Sequence, residues 1–222
     1  MATASLRMGK RAQSASVWAL YVVGLAPAAW AFYLGATGGL GADPVKTFEL
    51  FLGLWAVRFL ILTLAVSPLR DLFGWSLLRY RRALGLLTFY YALMHFAVYL
   101  TLDQGLDMGA VLEDVVKRPF IMFGMAGLIV LLPLALTSNM ASIRALGKKW
   151  TWLHRAVHIA AALAILHFAL ATKVFGVEQS IYLALLLLMI LYRSWRPIAK
   201  SRKRPVAAGR ARGAGSTLTG QP

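Results

Sequence analysis

The side chains of this sequence best suited to chemistry are its four histidines. All four, His95, His154, His158 and His167, fall inside two long apolar runs rather than between them. Ionisable groups inside a bilayer are costly and by default mark function, although a single histidine also serves as a hydrogen-bonded packing residue. Four of them in two segments favour ligation over packing. Cysteine is absent, which removes disulfides, iron-sulfur clusters, thiolate ligation and any Cys-based redox cycle. Electron chemistry would therefore need a bound cofactor.

The elements that position these residues follow from composition. Of 222 residues 59% are hydrophobic and 14% charged, too apolar for a soluble domain whose surface must meet water. Apolar runs near 17–34, 47–66, 82–102, 119–136, 151–172 and 179–195 predict six transmembrane helices, each near the roughly 20 residues a bilayer requires. The expected fold is an all-α polytopic membrane bundle: one domain over 17–195, a cytoplasmic segment 1–16 before it, and a basic tail 196–222 after it. The first run reads as a retained helix rather than a removed signal peptide. Breaks are expected at Gly38 to Pro44, Ser67-Pro68, the acidic stretch Asp103 to Pro119, Thr137-Ser138-Asn139, and Lys173 to Ser180. Pro27 and Pro133 lie within helices, which a bundle tolerates.

The net charge of +16 sits between the apolar runs, which reads as membrane topology rather than nucleic-acid binding. Nineteen of the 24 Lys and Arg residues fall on one side, including Arg7, Arg79, Arg81, Arg82, Arg144 and Arg155. The other side receives Lys46, Lys117, Arg118 and Lys173 with most of the acidic residues. Positive loops stay inside, so both termini are expected to be cytoplasmic and the number of spans even. The tail, rich in Gly and Ala and without periodicity, is expected to be disordered and to rest on anionic lipid.

With that orientation, and a rise of about 1.5 Å per residue, His95 and His167 lie in the outer halves of the third and fifth helices. His154 lies near the inner surface and His158 between. His95 and His167 are expected to face each other across one haem, because two neutral imidazoles suit an iron that only passes electrons. Zinc fits less well, since it usually takes four ligands. His154 and His158 share one helix face and cannot clamp one haem. On an ideal helix His154 and His167 stand about 140° apart, which argues against a simple two-haem stack. Arg79, with Arg81 and Arg82, is open to two readings, a contact to haem propionate or flavin phosphate and a plain topology signal. Arg58, a permanent cation in mid-helix, needs a propionate, a carbonyl or a water-filled cavity, and is a candidate for a cofactor or quinone role. Trp150, Trp152, Tyr80 and Trp195 read as interfacial belt residues, and Tyr90, Tyr91 and Phe96 as packing around His95.

These residues also carry a resemblance that covers nearly the whole chain, from the second helix to the sixth. Ser67-Pro68-Leu69-Arg70, then Arg79-Tyr80-Arg81-Arg82-Ala83-Leu84-Gly85-Leu86 leading to Tyr91-Ala92-Leu93-Met94-His95, then Thr137-Ser138, then Trp150-Thr151-Trp152-Leu153-His154-Arg155 followed by His167, together resemble the MsrQ (YedZ) family. These are haem-binding membrane subunits of a methionine sulfoxide reductase system. The resemblance implies a ferric-reductase-like domain of the bacterial inner membrane. It takes electrons from the quinone pool or a cytoplasmic flavin reductase and passes them to a periplasmic, molybdopterin-containing MsrP-like subunit that repairs oxidised methionine. By the family pattern His95 and His167 match haem b axial ligands, His154 matches the third family histidine at a second haem or flavin-side site, and FMN is an additional cofactor. His158 is extra to that pattern. Two other readings compete. A self-contained ferric or quinone reductase is disfavoured because the tail of roughly 25 residues has no room for a nucleotide-binding domain. A non-redox transporter or scaffold is disfavoured because no repeated half or broken helix stands out. The acidic loop from Asp103 to Asp114 is a candidate docking region for the periplasmic partner, or simply a solvated loop.

Overall fold

The computed structural model describes residues 9–171 and 176–202. Among them no strand forms, and the chain runs through nine α-helices. They are α1 (Lys10–Ala36), α2 (Pro44–Phe73), α3 (Arg81–Val98), α4 (Met108–Lys117), α5 (Pro119–Leu136), α6 (Met140–Leu146), α7 (Lys148–Leu153), α8 (Val157–Ala171) and α9 (Val177–Arg202). A 3₁₀ turn leads into α3, a π turn (Tyr99–Asp103) prolongs it, and a second 3₁₀ turn (His154–Ala156) joins α7 to α8. Five segments, 11–36, 44–73, 78–103, 119–136 and 148–171, are long and apolar enough to cross a membrane, and Val177–Tyr192 is a shorter apolar helix. The six expected apolar segments are thus helical over their described residues, and the protein is a multi-pass membrane protein.

Three expectations are corrected. Ser67-Pro68 does not end the second helix, which continues to Phe73. A proline removes one N–H but leaves φ helical, and Val66, Ser67 and Pro68 are buried against neighbouring helices. The helix stops where a residue can turn left-handed: Gly74 has φ 73° and its N–H closes on the Arg70 carbonyl. The acidic stretch is not a loop but largely α4. Asp107 caps it, accepting from the N–H groups of Gly109 (2.8 Å) and Ala110 (3.1 Å). Glu113 pairs with Lys117 and Asp114 with Arg118, each four residues on, while Val111 and Val115 pack on Tyr99 and Ile121. At the C-terminus the expected unstructured tail begins too early, since α9 passes Pro197 and reaches Arg202; 203–222 lie outside the described residues.

Two antiparallel pairs form the frame, α2 along α3 and α5 along α8. Leu52, Leu87 and Tyr91 are fully buried in the first, and Leu64, Ala161 and Leu186 tie α2 to α8 and α9. The small Ala160 and Ala161, both buried, allow close approach where apolar packing alone gives no drive in lipid. α1 is joined to this frame by Tyr91. The Tyr91 hydroxyl donates to the Gly24 carbonyl (2.8 Å) and accepts from the Ala28 N–H (3.1 Å), standing between two groups that an unbroken helix would bond to each other. Large apolar side chains such as Trp18, Val22, Leu132, Leu188 and Leu191 point outward, as a lipid-solvated bundle requires. Replacing Tyr91 by Phe is expected to cost about 1 kcal/mol, because the α1 ladder can partly reclose; thermal unfolding in detergent should show a lower midpoint with unchanged helicity.

Candidate functional site

His95 is in the last turn of α3 and His167 near the C-terminal end of α8. Their ring centroids are 6.0 Å apart, with planes at 74°. Each ring is held from behind. His95 Nδ1 lies 2.8 Å from the Glu49 carbonyl on α2, and His167 Nδ1 lies 2.7 Å from the Phe120 carbonyl on α5. A carbonyl oxygen only accepts, so both Nδ1 atoms carry the proton and both Nε2 atoms keep a lone pair. Both residues are half-buried. Each main helix pair therefore supplies one imidazole and, from its other member, the carbonyl that fixes that imidazole's tautomer.

The remaining candidates stand elsewhere. His154 occupies the 3₁₀ turn between α7 and α8. Its ring stacks on Trp150 at 3.9 Å and 25°, its Nδ1 meets the Trp150 carbonyl at 3.1 Å, and its Nε2 lies 3.4 Å from Ser138 Oγ. Trp150 in turn donates from Nε1 to the Thr137 carbonyl at 2.9 Å. Trp150 is thus the platform of His154, whereas Trp152 and Trp195 are exposed, at 74% and 67%. The 140° separation expected for His154 and His167 assumed one regular helix, which the 3₁₀ turn interrupts. His158 is half-buried on α8, and no group of three or more His, Asp or Glu side chains converges as a metal site among the described residues.

Arg58 finds a partner that the sequence reading did not name. Its Nε donates to Tyr182 Oη (2.8 Å) and its Nη2 to Glu178 Oε1 (3.2 Å), both on α9, while the guanidinium lies 4.9 Å from the Trp55 ring. The cation is neutralised by a carboxylate and two aromatic rings, which is how a charge within a span is made tolerable. Arg79 is exposed and lies over Tyr80. Glu178 and Tyr182, four residues apart at the start of the last apolar helix, were the available signal for the Arg58 partner. Glu49 and Phe120 act through backbone carbonyls, which no side-chain pattern discloses.

Residues 52–165 match a family described as ferric reductase like transmembrane component. The chain is 58% identical over 194 residues to the protein-methionine-sulfoxide reductase heme-binding subunit MsrQ of Brucella anthropi, an alignment covering 87% of this chain and 88% of that protein. The proteins of the same name from Brucella ovis and Brucella canis are 59% identical over 187 residues, with 84% of this chain and 85% of theirs covered. No solved structure matches the chain.

Proposed function

Because the chain belongs to the MsrQ family, haem-binding subunits of protein-methionine-sulfoxide reductases built on a ferric-reductase-like transmembrane domain, we propose that it holds haem b between His95 and His167 and carries electrons across the inner membrane. The observation that carries this reading is the pair of facing imidazoles 6.0 Å apart. Two metal–nitrogen bonds of about 2 Å each, plus half of each ring, fill that separation. The donor chemistry agrees, since the carbonyl behind each ring leaves Nε2 as the ligating atom. Packing alone does not require two neighbouring rings to be fixed in the same tautomer by backbone carbonyls. Haem held by His95 and His167 would supply a one-electron couple for passing electrons.

The site lies toward the ends of α3 and α8 that the charge pattern assigns to the periplasm, on the side where a periplasmic molybdopterin-containing partner would collect electrons. Donors on the opposite side are the quinone pool or a cytoplasmic flavin reductase. His154, backed by Trp150 and Ser138, is the residue available there for FMN or a second haem. His158, Arg58 and Arg79 are assigned supporting roles, and Arg58 acts through its ion pair with Glu178. The resulting function is delivery of reducing equivalents for repair of oxidised methionine in periplasmic proteins, with both termini cytoplasmic.

The purified protein is expected to show a low-spin b-type spectrum that disappears in His95→Ala and in His167→Ala and persists in His154→Ala. Unchanged absorbance in either of the first two variants rejects the pairing. The orientation is tested separately on the naturally cysteine-free chain. An impermeant maleimide applied to spheroplasts is expected to label Ala42→Cys at once and Ala141→Cys only after lysis; the reverse order inverts the topology.

A further inference from the structure

The two ligand-bearing helix pairs share a second feature. In an α-helix each Cβ leans toward the N-terminus and covers the turn before it, so the side chain at one position shields the carbonyl four residues earlier. His95 bonds the Glu49 carbonyl, and four residues on stands Gly53. His167 bonds the Phe120 carbonyl, and four residues on stands Gly124. A Cβ added at Gly53 would lie 3.1 Å from His95 Nδ1 and 3.2 Å from its Cε1. At Gly124 it would lie 2.7 Å from His167 Nδ1 and 2.9 Å from its Cε1. Neither glycine has a positive φ, so neither is needed for backbone conformation. Glycine weakens a helix relative to alanine, and what it provides at both positions is room for an imidazole to reach a backbone oxygen.

We propose that Gly53 and Gly124 are positioning residues for the two haem ligands, each uncovering the carbonyl that fixes its histidine's tautomer, ring plane and basicity. The proposal rests on the reading of His95 and His167 as axial ligands. Donation from Nδ1–H makes an imidazole a stronger base toward a metal, which favours ferric over ferrous iron and holds the midpoint potential down. The same contact clamps the ring plane. The two sites differ in tightness, so they respond unequally. At 2.7 Å something must shift on the α5 side, whereas at 3.1 Å on the α2 side a displacement of a few tenths of an ångström suffices. Gly127, one turn along α5, provides the contrast, because its Cβ would meet only Leu163 Cβ at an ordinary 3.6 Å.

The test uses the full chain purified with haem, in the variants Gly53→Ala, Gly124→Ala and Gly127→Ala, read by redox titration, electron paramagnetic resonance of the ferric state, and haem affinity. Gly124→Ala is expected to bind haem about 10- to 100-fold more weakly, the range typical for loss of an outer-shell partner. Its loaded fraction should show a raised midpoint potential and shifted low-spin g values. Gly53→Ala should move in the same direction by less, and Gly127→Ala should match the parent. Parental potential and g values in both Gly53→Ala and Gly124→Ala overturn the proposal, as does a shift in Gly127→Ala equal to that of Gly124→Ala. If Gly124→Ala holds no haem, Gly53→Ala decides by the same two readouts. Failure of the ligand reading itself is distinguishable, because His95→Ala and His167→Ala would then retain the parental spectrum.

Discussion

An imidazole inside a lipid-solvated bundle must satisfy one nitrogen before the other is of use to a metal, and there is little water to do it. Here the backbone does it. His95 and His167 both donate to helix carbonyls that already belong to the ladders of α2 and α5. Those carbonyls are fixed by the most regular structure the protein has, so the tautomer and the ring direction inherit the rigidity of the helices. The long pairings of α2 with α3 and of α5 with α8 follow from this requirement. An imidazole reaches a carbonyl on the neighbouring helix only where the two axes run close.

The rest of the bundle is tied to those two pairs through polar groups that are paired. α1 is bound to α3 through a tyrosine hydroxyl inserted into its ladder, a polar joint that costs little because every group involved is paired. α9 meets α2 through apolar contacts around Leu186 and through the Arg58, Glu178 and Tyr182 cluster. That cluster accounts for the one cation in mid-span of α2. A side chain whose charge is met by a carboxylate and by aromatic rings does not need a cofactor's carboxylates as its explanation.

Much of this was legible in the residues. Apolar length located all six hydrophobic segments, and α5 begins and ends at 119 and 136 as expected. The preference for His95 and His167 over the other histidines came from depth, from the shared face of His154 and His158, and from the family resemblance, and they are two rings that the fold brings together. What was not legible falls into two physical kinds. Pro68 was read as a stop and the tail as starting at 196, yet α2 passes Pro68 and α9 reaches Arg202; at Pro68 the buried helix loses one bond and keeps its packing. α4 was hidden because its apolar residues recur at helical spacing within a charged stretch, and apolar run length does not see periodicity. The backbone acceptors of the histidines leave no trace in side-chain chemistry. Only the glycines four residues after them record where those acceptors had to stay open.

The two ends of the span that carries His154 and His167 differ in their surroundings. At the C-terminal end of α8 the His167 ring lies 6.0 Å from that of His95. At the other end His154 has an indole stacked on it and a hydroxyl near its Nε2, and the start of α3 carries arginines rather than an imidazole. A single imidazole cannot enclose a metal as a facing pair does, and the His154 ring is already stacked on Trp150. The break of the span into α7, a 3₁₀ turn and α8 adds to the difference. It turns His154 by a different angle from the one a continuous helix would set, and so separates the orientation of its ring from that of His167.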